Sequence, residues 1–171
     1  MKLETNRISI VALTKNQLEN YLITNNVLEK ELGLIIITIP RTINDRVKNA
    51  ITTKLLPAIK ENPEKYLFYT FWTIIDKEQN CMVGDLCFKG TPNVNGEIEI
   101  GYGTYPTFQN KGYMIEAVDQ ISKWAFQQEN VKSIIAQTDP TNIASQKILE
   151  NNNFLNLGQG DEYINWKLNK Y

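Results

Sequence analysis

Residues 96–125 read GEIEIGYGTYPTFQNKGYMIEAVDQISKWA, an alternating strand that passes through a short loop into a periodic helix. In Glu97-Ile98-Glu99-Ile100 the alternation puts both isoleucines on one face and both glutamates on the other. Met114, Ala117, Val118, Ile121, Trp124 and Ala125 recur at helical spacing as one apolar stripe, with Glu116, Asp119, Gln120, Lys123 and Gln127 opposite it. Gly101 and Gly103 interrupt the strand, a pattern that goes with a bulge or with another molecule approaching the backbone. Pro106 ends the pairing, and Gln109-Asn110-Lys111-Gly112 carry the turn. A helix N-terminus presents unpaired N–H groups and partial positive charge; Gly112 has no Cβ to block an anion, and Lys111 adds a cation. Taken alone, the stretch is either a plain strand–turn–helix connection or a cradle for an anionic ligand.

Upstream, residues 7–13 (RISIVAL) alternate as a first strand. Thr14 stands in N-cap position with Gln17 three residues on, the spacing of a capping box, and starts a helix that runs to about Tyr21 or Ile23. Residues 32–39 read as a strand from their β-branched content or as a loop packed on the core. Val47, Ala50, Ile51, Leu55 and Ile59 predict a second helix over residues 44–60, kinked or ended by Pro57. Residues 66–75 (YLFYTFWTII) and 81–89 predict two strands joined by a polar hairpin loop at 76–80, and GTPNVNG at 90–96 turns into the strand described above. Beyond the central helix, residues 131–137 predict a strand that returns parallel by a crossover, 142–151 a short helix, and 163–168 a last strand. The order predicts one α/β domain over residues 1–171: a mixed sheet with helices on its faces and one parallel βαβ step. The glycine loop then lies at the carboxyl end of the strand entering that step, where open α/β sheets bind ligands.

At 171 residues the chain can bury a single core, and its net charge of −1 gives no field for nucleic acid or an anionic membrane. No apolar run suits a bilayer and no signal-peptide pattern opens the chain, so a cytoplasmic setting is expected, with Cys81 and Cys87 reduced. There is no histidine. Ser-His-Asp and Cys-His catalysis and most catalytic zinc sites are thereby excluded, no metal is expected, and proton transfer falls to carboxylates, tyrosines, lysines, hydroxyls or water.

Gln109-Asn110-Lys111-Gly112-Tyr113-Met114 after a strand and a proline resembles the acetyl-CoA fingerprint of the GNAT N-acetyltransferases, Gln/Arg-x-x-Gly-x-Gly/Ala. Glu99-Ile100-Gly101-Tyr102, Glu116-Ala117, the segment from Asn142 and Ser145 through Leu149-Glu150 to Phe154, and the opening Leu3-Glu4-Thr5-Asn6-Arg7 are similar to the RimJ/RimL-like branch, which acetylates ribosomal-protein N-termini. The resemblance implies a GNAT-like twisted sheet, mainly antiparallel, and acetyl-CoA as co-substrate. Main-chain groups of Tyr102, Gly103 and Thr104 would meet the pantetheine, and amides of Gln109, Asn110, Lys111, Gly112, Tyr113 and Met114 the pyrophosphate. Lys111 would reach a phosphate and Asn142 would contact coenzyme A while capping its helix. Three positions depart from the pattern: Met114 replaces Gly or Ala, Asn153 replaces a Gly and suits the left-handed C-cap it would adopt, and Leu149 stands where many relatives carry an acidic tyrosine.

The implied reaction is attack of a neutral amine on the thioester carbonyl. An N-terminal amine with pKa ~8 is partly neutral at pH 7, whereas a lysine at ~10.4 needs more help. Glu99 is the assigned base, directly or through water, with Glu97 two residues away as its competitor; Ser145 is assigned to protonate the thiolate, with helix capping as its alternative role. The acceptor is a peptide N-terminus or a small amine, and Tyr66, Phe68, Tyr69, Phe71 and Trp72 read as core. Oligomeric state is open between monomer and homodimer. The competing functions are a non-catalytic acyl-CoA-binding sensor and a nucleotide-binding protein, the latter disfavoured because neither phosphate-loop nor Rossmann glycine spacing is present.

Overall fold

The computed structural model describes residues 1–23, 26–37, 41 and 43–170. Its centre is an eight-stranded sheet in the order β1-β2-β3-β4-β5-β6-β8-β7. The strands are β1 (Lys2–Glu4), β2 (Ile8–Ala12), β3 (Phe71–Asp76), β4 (Cys81–Phe88), β5 (Glu97–Thr104), β6 (Ser133–Thr138), β7 (Leu155–Gln159) and β8 (Ile164–Asn169). Every neighbouring pair is antiparallel except β5–β6, the parallel step expected from the crossover. Helices α1 (Lys15–Tyr21), α2 (Val27–Glu31), α3 (Asp45–Ala50) and α4 (Leu56–Glu61) share one side of the sheet; α5 (Tyr113–Phe126) and α6 (Ile143–Asn151) take the other. No helix among the described residues is long and apolar enough to cross a membrane.

Two cores follow from the strand alternation. Trp72, Ile74, Leu86, Phe88, Ile98 and Ile100 meet the apolar stripe of α5, where Trp124 lies 4.9 Å from the Trp72 ring and 5.9 Å from Phe88. Phe71, Ile75 and Met82 point the other way and meet Leu18, Tyr21, Leu28, Ile51 and Leu55. The helices therefore clamp β3–β5 from both sides, which is what holds the β5–α5 connection in place.

Local chemistry sets several boundaries. Thr14 caps α1 with the reciprocal Gln17 bond that its spacing predicted. Pro57 does not end the helical run. A π-helical turn at Ile51–Leu55 widens the spiral just before it, and Leu56 N donates five residues back to Ile51 O, so α3 runs on into α4 past a residue that lacks an N–H. Tyr66, Leu67 and Phe68 belong to a 3₁₀ turn, Pro63–Phe68, and not to β3, because Pro63 opens that turn and the Trp72 indole pins it through Leu67 O. Residues 32–37 form a loop and no strand, and positions 38 and 39 of that expected segment lie outside the described residues. β1, α2 and β7 are too short or too exposed to show a period. β5 continues unbroken through Gly101 and Gly103; the bulge sits instead on β4, where the register slips between Ile74 and Ile75. Cys81 and Cys87 are free thiols, and burial pushes the latter up to about 12.

Candidate functional site

The parallel β5–β6 ladder is short. It ends at Glu99–Ile135, although β5 runs on to Thr104 and β6 to Thr138. In-plane direction along β5 is fixed by its other neighbour: Lys89 N donates to Glu99 O at 2.9 Å and Tyr105 N to Val83 O at 2.9 Å, so odd-numbered residues turn their main-chain groups to β4. The Ile100 carbonyl and both main-chain groups of Tyr102 and Thr104 therefore face the gap that opens toward β6, with no main-chain partner among the described residues. Gly103 is different. It is registered with Asp85 and its main-chain groups face β4, so it offers the gap nothing, and Ile100 supplies the polar group in its place. The gap is a template for an extended ligand to add as a strand.

The gap leads to the loop before α5. Asn110 and Gly112 both take left-handed backbone, φ +60° and +78°, which turns the chain so that consecutive amides converge ahead of the helix. Glu116 N, bonded to Gly112 O, is the first α5 amide with a main-chain partner, and the N–H groups of Lys111, Gly112, Tyr113, Met114 and Ile115 donate to no described acceptor. That set of donors at the positive end of a 14-residue helix fits a diphosphate. Tyr113 is buried with its phenol toward Asp76, whose carboxylate pushes it up to about 12, and Lys111 Nζ lies 5.2 Å over the Phe108 ring at an exposed position. Gln109 and Asn110 are exposed.

Met114 does not crowd the loop. It is 3 % exposed and points into the sheet, its terminal methyl 3.3 Å from where a Cβ on Gly84 would stand. Gly84 makes that room and also admits the neighbouring strand, since the same Cβ would meet Gly103 O at 2.6 Å. Leu149 is fully buried in the α5–α6 core.

Ser145 and Tyr102 meet across the mouth of the gap. The Ser145 hydroxyl donates to Tyr102 Oη at 2.9 Å, and the Tyr102 phenol donates to Ser145 O at 3.1 Å. Burial raises the Tyr102 phenol to about 12, so it stays protonated. Asn142 caps α6, its side chain accepting from Ser145 N at 3.0 Å. On the opposite face, Glu99 is ion-paired with Lys89, and Glu97 with Lys167 at 2.7 Å. Bonds from Lys167 and Asn93 hold the Glu97 carboxyl below the usual carboxylate range.

Two participants escaped the sequence. Ile100 reads as core because its side chain is core; only the strand register shows its carbonyl at the gap. Asp85 sits in an ordinary β-strand run, yet it is 7 % exposed and takes hydrogen bonds from Tyr21 and Tyr105. A carboxylate within VGDLCF was the available signal.

Comparison with known proteins bears on the family and the fold. A family model described as an acetyltransferase (GNAT) domain matches residues 7–155. YjdG of Bacillus subtilis, described as an uncharacterized N-acetyltransferase, is 38 % identical over 95 residues, covering 56 % of each chain, and YnaD of the same organism is 33 % identical over 92 residues, 53 % of this chain and 49 % of that one. The chain thus spans about half the length of the curated relatives it matches. In fold it is similar to the ribosomal-protein-S5-alanine acetyltransferase of Vibrio fischeri, with TM-score 0.70 and 18 % identity over 99 % of this chain and 96 % of that one. It is also similar to RimL, a ribosomal L7/L12 α-N-protein acetyltransferase in complex with coenzyme A, with TM-score 0.67 and 15 % identity over 99 % and 98 %.

Proposed function

Because this chain belongs to the GNAT acetyltransferases, we propose that residues 1–171 act as one acyl-CoA N-acyltransferase domain that moves an acetyl group from acetyl-CoA to a primary amine, a peptide N-terminus or a small molecule. The observation that carries this reading is the unpaired edge of β5 running directly into the unpartnered amides before α5. In this reading the pantetheine adds along Ile100, Tyr102 and Thr104 as a strand, and the pyrophosphate lies on the amides of residues 111–115. One of the Tyr102 and Thr104 N–H groups meets the carbonyl oxygen as it gains charge, a contribution of about 2.7–4 kcal/mol for a well-placed donor. Tyr102 and Ser145 stand where the thiolate leaves, both hydroxyls protonated. Glu99 arrives already paired with Lys89, so here it orients that lysine and the strand face.

The test is release of coenzyme A thiol from acetyl-CoA over free amines and over peptides beginning with alanine or serine. Turnover with at least one acceptor supports the proposal. Coenzyme A binding without turnover would favour the sensor, and stabilisation by ATP or NAD alone would end both. Glu99→Gln is expected to lower kcat/KM only about 3- to 10-fold by freeing Lys89, well short of the 10²–10⁴ lost with a proton acceptor. A loss beyond 100-fold would return the base assignment to Glu99.

Gly103 supplies a second test. A Cβ there meets nothing within 4 Å, and the residue is exposed on the α1–α4 face. Gly103→Val is expected to fold with a Tm within a few degrees of wild type and to keep its acetyl-CoA affinity, while the KM for the amine rises at least about 10-fold as the branched side chain fills the approach. Unchanged amine kinetics would mean the acceptor enters elsewhere.

A further inference from the structure

Two buried carboxylates among the described residues, Asp76 and Asp85, have no cation on them, and of the two only Asp85 keeps a buried oxygen without a hydrogen-bond partner. It projects from β4 on the α1–α4 face, registered with Thr73 on one side and with Gly103 on the other. Its Oδ2 accepts from the Tyr21 phenol at 2.8 Å and from the Tyr105 phenol at 2.5 Å; its Oδ1 has no hydrogen-bond partner, and neither does Thr73 Oγ1. Arg41 comes close, its guanidinium carbon 4.0 Å from the Tyr21 ring centre, but it gives its N–H groups to Glu29 and to Tyr21 O. The other ionisable group facing Asp85 from its own strand is the partly buried Cys87 thiol. A desolvated carboxylate with an open valence costs stability, and an apolar residue of the same size would pack there more favourably.

The two phenols differ in what they reach. Tyr21 is buried, whereas Tyr105 is only partly so, lining a small cavity with Asn26, Ile35, Ile37, Arg41 and Met82. Tyr105 also follows directly on the free edge of β5, and beside it the missing side chain of Gly103 leaves open space. Tyr105 thus spans from a buried proton acceptor to the face on which an amine can approach the thioester.

We propose that the Tyr105 phenol, backed by Asp85, takes the proton from the attacking amine. The inference rests on the acetyl-transfer reading. The amine nitrogen forms its bond to the acyl carbon and becomes positively charged in the adduct. It passes one proton to Tyr105 Oη as the phenol passes its own to Asp85 Oδ2. The adduct collapses to the amide, the carbon–sulfur bond breaks, and coenzyme A leaves as its thiolate. Asp85 returns its proton through Tyr105 to solvent, from which the thiolate takes one up. Tyr105 is the group that touches substrate, and Asp85 acts through it.

Burial sets the poise of this relay. It raises the Asp85 carboxyl above the usual carboxylate range against the opposing pull of the two phenol hydrogen bonds and of Arg41, and it keeps the Tyr105 phenol protonated. Asp85 must be ionised to accept, so the rate falls as pH drops through its raised value. Stability runs the opposite way: a carboxyl with a raised folded value stabilises while protonated and loses that contribution as pH rises, so ionised Asp85 is a net cost at neutral pH.

The experiment follows thiol release from acetyl-CoA against pH for wild type, Asp85→Asn and Tyr105→Phe, using alanine- and serine-initiated peptides and ethanolamine as acceptors, with coenzyme A affinity and Tm measured in parallel. Each variant is expected to lose at least about 100-fold in kcat, to keep coenzyme A affinity within about twofold, and to lose the acidic limb of the pH profile. The double variant is expected to be no worse than either single one, and Asp85→Asn to melt no lower than wild type at neutral pH. Retention of kcat within threefold, or of the acidic limb, in either variant overturns the relay. If Asp85→Asn fails to fold, Tyr105→Phe alone decides, since it keeps the ring and removes only the hydroxyl of a partly buried side chain. Wild type that binds coenzyme A yet releases no thiol with any acceptor brings down the acetyl-transfer reading and the relay together, whereas an active wild type with active variants removes the relay only.

Discussion

Gly112→Ala is expected to weaken acetyl-CoA binding about 10- to 100-fold while leaving the protein folded. Gly112 holds φ +78°, a conformation that costs an L-residue about 1–2 kcal/mol, and its added Cβ would stand 3.4 Å from Arg7 Nη2. The arginine end can yield, so the strain falls mainly on the backbone. Relaxing that strain means turning the 111–112 and 112–113 peptides, and those peptides carry amides aimed at the phosphates. A hydrogen bond to a charged group is worth about 1.5–3 kcal/mol, so misdirecting one such amide gives the stated loss. Titration calorimetry with coenzyme A checks the affinity, and urea denaturation checks that the stability change stays within about 2 kcal/mol. Asn110→Gly is the control, because Asn110 already sits at φ +60° and glycine adopts that backbone without cost. Equal affinity of Gly112→Ala and wild type would show that the loop amides do not hold the carrier.

What the sequence made legible follows from periodicity and local chemistry. α5 and the parallel step were readable because a 14-residue helix with one apolar stripe, placed between two strands, has a single economical packing. The α1 cap was readable because both halves of the box lie within four residues. β1 and α2 run for only about one and a half periods of their own pattern, and β7 is exposed at every residue, so none of them displays a readable apolar face. The fingerprint located the loop, yet Tyr102, Gly103 and Thr104 were grouped together although Gly103 turns the other way. Side-chain alternation fixes which face a residue points to, but not which neighbour its amide meets; that needs the β4–β5 register. Asp85 was invisible for a related reason. Its meaning comes from Tyr21, 64 residues away, and Tyr105, 20 residues away, which no local window joins.

The last fingerprint position, Met114 where Gly or Ala was expected, admits a sharper test through its partner Gly84. Gly84→Ala is expected to cost about 1–3 kcal/mol, because its Cβ would meet Gly103 O at 2.6 Å and Thr104 Cα at 3.2 Å, both backbone. Met114→Ala is expected to cost about 2–5 kcal/mol by a different route, the cavity left beneath α5. Function separates them. Gly84→Ala pushes on the very segment of β5 whose free edge faces the gap, so coenzyme A affinity should fall at least about 10-fold. Met114→Ala leaves the amide in place and the affinity within about twofold. In the double variant the 3.3 Å contact with the Met114 methyl is relieved but the backbone contact is not, so the combined loss should fall short of the sum by about 0.5–1 kcal/mol while most of the Gly84→Ala cost remains. Full recovery in the double variant would assign the crowding to the methionine side chain. A drop in coenzyme A affinity for Met114→Ala as large as that for Gly84→Ala would make the side chain part of the carrier site, and the departure at this position would then be functional instead of a matter of packing.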